Sequence, residues 1–77
     1  MKVEVFAVLK DHFDKKFDVN ESIATPEQLR SFLIRSKPEA KDVLGNCRFV
    51  VNDEFVEMNF KLNPNDSIVI LPPSSGG

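Results

Sequence analysis

The residues best suited to chemistry stand together in Ile70-Leu71-Pro72-Pro73-Ser74-Ser75-Gly76-Gly77, where two prolines follow an apolar run and two glycines follow two serines. Paired prolines favour polyproline II, about 3.1 Å per residue with no internal hydrogen bonds, so the chain is expected to leave its last strand stiffly and not fold back. Six residues from Pro72 onward reach about 20 Å at full extension, taking about 3.3–3.6 Å each. Gly76 and Gly77 lack a Cβ, so this end passes a narrow channel and adopts backbone angles closed to other residues. The expected reacting group is therefore the main-chain carboxyl of Gly77, with Gly76 giving access. A carboxylate is a poor electrophile because its leaving group would be oxide. Acyl chemistry needs activation, most simply as an acyl-adenylate made from ATP by a partner enzyme.

Other reactive side chains are weaker candidates. The glycines are Gly45, Gly76 and Gly77, a distribution that rules out a phosphate-cradling loop. Cys47 opens an expected strand with no activating neighbour, which favours a packed small hydrophobe over a persulfide carrier. His12 has no Cys or second His beside it, so a metal site is not expected. Asp11, Asp14, Asp18 and Glu21 read as a polar loop, since no apolar pocket surrounds them to separate their pKa values. Phe13 and Phe17 read as packing and not as a ligand shelf.

The elements that must position the tail follow from pattern and punctuation. Seventy-seven residues make one small domain that buries around 60% of its unfolded surface. Hydrophobic content is 42%, and all seven aromatics are Phe, which favours a packed globule over a disordered chain. A net charge of −2 without a basic stripe points away from nucleic acid and from anionic membranes. A single cysteine, no signal-like N-terminus and no apolar run of about 20 residues make the cytoplasm the expected compartment.

Lys2 to Leu9 alternates, with Val3, Val5, Ala7 and Leu9 on one face and Phe6 and Val8 on the other, and is expected to be a strand. A short turn or one-turn helix at Lys10–Asp14 and a brief strand through Lys16–Val19 follow. Thr25-Pro26-Glu27-Gln28 is a helix start with a capping box, and Leu29, Phe32 and Leu33 form its apolar stripe. Pro38 ends this helix at Lys37, and a second short helix runs to Leu44. Cys47–Val51 and Glu54–Glu57 form a hairpin about Asn52-Asp53, and a turn at Asn63–Asp66, where Asn tolerates left-handed geometry, leads to a strand at Ser67–Leu71.

The order β, β, α, short α, β, β, β requires an α+β fold with the helices on one face of a mixed five-stranded sheet. The first and last strands, apolar on both faces, are expected side by side and parallel at its centre. This is the β-grasp, or ubiquitin-like, layout, with residues 1–71 as the domain and 72–77 as its extended tail. Phe6, Phe55, Val69 and Leu71 then fall on the helix-free face beside the root of the tail. A contiguous apolar patch there marks an interface and weighs against an idle end.

The strand KVEVFA, TPEQLRSFL at the helix, VVNDEFV at the hairpin, LNPNDSIVI and the closing LPPSSGG together resemble the MoaD family, the small subunits of molybdopterin synthase within the wider MoaD/ThiS group of sulfur carriers. The resemblance implies a mechanism. A MoeB-type enzyme, using ATP and Mg, adenylates Gly77, and sulfur from a sulfur-donating enzyme replaces the adenylate. The thiocarboxylate then enters the MoaE-type large subunit and gives sulfur to cyclic pyranopterin monophosphate, twice per molybdopterin dithiolene. No cofactor is bound by the chain itself. By motif position, Phe6, Phe55 and Leu71 match partner contacts, and Pro72, Pro73, Ser74 and Ser75 line the passage into the partner. The chain departs from the family at Ile70 and Leu71, where aromatics are frequent, at Lys10, near a common Arg, and at Asn65, where glycine is usual. Alternatives left open are a ThiS-like carrier for thiamine synthesis and a ubiquitin-like modifier forming isopeptide bonds.

Overall fold

The computed structural model describes residues 1–73. Expectations for Ser74, Ser75, Gly76 and Gly77 lie outside the described residues.

Val3 and Val5 are buried while Lys2 is exposed and Glu4 partly so, and this alternation makes β1, Lys2–Val5. The strand expected to run to Leu9 stops four residues earlier. Phe6 stays extended (φ −131°, ψ 163°), but Ala7 takes φ 55° and turns the chain into a 3-10 helix, Ala7–Asp11. The helical turn expected at Lys10–Asp14 accordingly begins at Ala7. Leu9 is still fully buried, now by the helical turn, while Ala7 and Val8 are exposed. An alternating apolar run does not reveal this corner, because Ala is an unfavourable residue for left-handed backbone.

β2, Lys16–Asp18, pairs antiparallel with β1. Helix α1, Pro26–Ser36, starts as its sequence requires, with Thr25 Oγ1 accepting from the Gln28 N–H at 3.2 Å. The Gln28 side chain reaches back one residue further than the usual capping box, accepting from the Ala24 N–H at 2.8 Å. Leu29 and Leu33 are buried and Phe32 is half-buried. Lys37, ahead of Pro38, has non-helical backbone (φ −138°, ψ 81°) and closes the helix. A 3-10 turn at Pro38–Ala40 leads into the short helix α2, Lys41–Gly45, which buries Leu44.

β3, Arg48–Val51, and β4, Glu54–Val56, form a hairpin whose two turn residues both take positive φ, 51° at Asn52 and 71° at Asp53. That is the type I′ geometry matching the strand twist. Ahead of β5, Ser67–Leu71, the Asn63 N–H donates to Asp66 Oδ2 at 2.8 Å and the Asp66 N–H returns to the Asn63 carbonyl at 3.0 Å. The left-handed geometry expected at Asn65 is not taken, since positive φ among the described non-glycine residues falls at Ala7, Asn52 and Asp53. The Asp66 side chain supplies the closure instead.

The strand order is β2-β1-β5-β3-β4, with β1 and β5 parallel and the other pairs antiparallel. This is the β-grasp arrangement. β5 pairs on both sides, which explains its Ser-Ile-Val-Ile-Leu sequence, and the three-residue strands β2 and β4 form the edges. Val3, Val5, Phe49, Val51, Ile68 and Ile70 form one face and pack with Leu29, Leu33 and Leu44 of the helices into a single core.

Candidate functional site

Because pleated side chains alternate, every residue between those core positions points to the opposite face. Register places them in rows. One runs Lys16, Glu4, Val69, Val50, Phe55 across all five strands. The next, where β5 ends, sets Leu71 opposite Arg48, with the extended Phe6 one residue beyond the Val5–Ile70 pair.

The helix-free face thus gathers Phe6, Val50, Phe55, Val69 and Leu71 at the end where the chain leaves the sheet. Phe55 is 63% exposed, and the other four are half-buried. Arg48 and Lys15 lie over two of these rings. The Arg48 guanidinium carbon is 5.7 Å from the Phe55 centroid, and the Lys15 ammonium nitrogen is 5.7 Å from that of Phe6. Both distances are within cation–π range. Pro72 is half-buried and Pro73 exposed. Pro72 follows the last β5 residue, where its missing N–H removes the next ladder donor.

The sites named from sequence therefore separate by location. Phe6, Phe55 and Leu71 come together on one face, with Pro72 and Pro73 at its rim; Ser74, Ser75, Gly76 and Gly77 lie outside the described residues. Val50 and Arg48 were missed. The same alternation that sends Phe49 and Val51 inward sends these two outward, so the signal was present in Arg48-Phe49-Val50-Val51.

The remaining reactive groups sit elsewhere. Cys47 is half-buried just ahead of β3, its thiol donating to the Val43 carbonyl at 3.0 Å, and burial pushes its pKa up to about 11. A thiol held protonated is a poor nucleophile. Phe13 and Phe17 stack at 5.8 Å between centroids and pack against the core. Among the described residues no group of three or more His, Cys, Asp or Glu is placed to hold a metal ion, and no helix is long and apolar enough to cross a membrane.

A mixed five-stranded sheet of this order, with helices on one side and half-buried apolar residues on the other, defines a ubiquitin-like β-grasp domain. More narrowly, the chain belongs to the ThiS family, whose model matches residues 3–77. It is similar to the molybdopterin synthase sulfur carrier subunit of Chlamydomonas reinhardtii, 32% identical over 66 residues that cover 83% of this chain and 78% of that protein. It is likewise 30% identical over 66 residues to the molybdopterin synthase sulfur carrier subunit of Homo sapiens, covering 75% of each. Among solved structures, a chain in the complex of subunits 1 and 2 of molybdopterin-converting factor from Helicobacter pylori 26695 superposes with a TM-score of 0.69 at 28% identity, covering 99% of this chain and 96% of that one. SAMP1 from Haloferax volcanii shares the fold, with a TM-score of 0.73 at 21% identity over 99% of this chain and 97% of that one.

Proposed function

We propose that this chain is the sulfur carrier subunit of a molybdopterin synthase and works in the cytoplasm. The reading is carried by the 32% and 30% identity to two such subunits over three quarters or more of each partner in the alignment. It is supported by the apolar face at the exit of β5.

The Gly77 carboxylate attacks the α-phosphorus of ATP in a MoeB-type adenylating enzyme that binds the nucleotide and Mg, and pyrophosphate leaves. A sulfide-level sulfur from a sulfur-donating enzyme then displaces AMP, leaving a thiocarboxylate whose softer sulfur is the better nucleophile. The loaded arm enters the active site of a MoaE-type large subunit and transfers sulfur to cyclic pyranopterin monophosphate. Two rounds supply two sulfurs. The large subunit provides the catalytic side chains. This chain provides the substrate arm, residues 72–77, and the docking body, residues 1–71. Phe6, Phe55 and Leu71, joined by Val50 and Val69, seat the body on each partner in turn, and Pro72 to Ser75 thread the passage to Gly76 and Gly77.

Incubation with ATP, Mg, a MoeB-type enzyme and a sulfur donor is expected to raise the intact mass by one oxygen-to-sulfur exchange. No exchange under conditions that load an established carrier overturns the reading. The family description favours one second reading, a carrier for thiamine synthesis. Co-purification with a thiazole synthase in place of a large subunit selects it.

A further inference from the structure

The helix-free face carries charged residues at both of its ends. On the β1–β2 side they are matched across strands, Lys2 opposite Asp18 and Glu4 opposite Lys16. At the end where β5 hands over to Pro72, Arg48 and Lys15 rest on aromatic rings, and Glu57, which follows the Phe49–Val56 pair and so faces Arg48 in register, forms no ion pair with it. Arg48 stands opposite Leu71 with its guanidinium over Phe55, and Lys15 lies over Phe6 on the other flank. Both cations are exposed. The ion pair found among the described residues joins Glu27 to Arg30 on α1 and involves neither.

A partner that covers Phe55 and Phe6 strips water from the cations resting on them. Removing a charge from water without giving it a counter-ion is costly, and the aromatic ring replaces only part of the lost hydration. A guanidinium lying flat on a ring keeps its edge free, and that edge takes a carboxylate through two parallel N–H···O bonds. We propose that Arg48, assisted by Lys15, selects the protein that covers this face by pairing with carboxylates on its surface. The inference rests on the carrier reading, in which that protein is the large subunit. The surface of the large subunit around the mouth that receives the tail is therefore acidic opposite Arg48 and Lys15. The same two charges orient the approach, because they lie on either side of the departing chain.

The test measures binding of the full chain to the large subunit of the same organism across a salt series. Wild type is expected to weaken steadily as salt rises. Arg48→Gln keeps a planar group over Phe55 but loses the charge, and is expected to bind at least about 10-fold more weakly at low salt with a flatter salt dependence. Arg48→Lys restores most of the salt dependence, and Lys15→Gln shifts affinity in the same direction by less. An Arg48→Gln chain that melts like wild type and keeps both its affinity and its salt dependence overturns the inference alone. Should that variant fail to fold, Lys15→Gln with an unchanged salt dependence does the same. A wild-type chain that does not bind the large subunit overturns the carrier reading, and this inference with it.

Discussion

The Cys47 thiol, tied to the Val43 carbonyl and pushed up to about 11 by burial, sets a limit on what sulfur chemistry its own side chain performs. A thiol whose folded pKa lies above the ordinary 9.0 contributes its stability fully below about pH 9. Between 9.0 and about 11 the unfolded chain ionises first, so stability falls as pH rises through that window. Alkylation of the native protein is expected to accelerate with a midpoint near pH 11, and a midpoint at 9.0 overturns this placement. The inert character of Cys47 was legible from its strand-like neighbours alone. Val50 and Arg48 were equally legible in principle but were passed over, because a β-branched residue and a lone cation carry no chemistry until register sets them beside Phe55 and Leu71.

Two turns on the same side of the sheet are held by one carboxylate. Asp66 accepts from the Asn63 N–H at 2.8 Å and from Asn52 Nδ2 at 3.2 Å, joining the turn ahead of β5 to the β3–β4 hairpin turn, and it is 8% exposed. Asp66→Ala leaves both donors without this acceptor and is expected to cost about 1–3 kcal/mol, read as a shift in denaturation midpoint at unchanged m-value. A change below about 0.5 kcal/mol, the scale of ordinary surface substitutions, refutes the clasp. Elements marked by strong local chemistry were readable in advance. Thr25-Pro26-Glu27-Gln28 fixed the start of α1, and Asn52-Asp53 fixed the hairpin. The end of β1 was not readable, since the corner at Ala7 depends on a left-handed alanine that tertiary packing imposes against its propensity. The turn at Asn63–Asp66 was located correctly but with the wrong cause, a side-chain acceptor in place of an αL asparagine.

At the scale of the whole molecule, the buried pairs Val3 and Val5, Ile68 and Ile70, and Phe49 and Val51 belong to β1, β5 and β3, the three strands in the interior of the sheet. Burying one face under α1 and α2 leaves the other free to be a docking surface. Phe55, 63% exposed on edge strand β4, is the test of that division. Phe55→Asp is expected to weaken association with the large subunit by more than about 10-fold, as loss of an aromatic anchor does, while the free chain melts as wild type. Unfolding of the free variant shows instead that the ring supports the core. The parallel pairing of β1 with β5 has a practical corollary. It gathers Met1, whose ammonium donates to the Val19 carbonyl at 3.0 Å, at the pole where β5 begins, one strand length of about 15 Å from the pole where it ends. A fluorophore, resin tether or fusion joined ahead of Met1 hangs from the far pole and leaves Leu71 and Pro72, at the opposite pole, unobstructed.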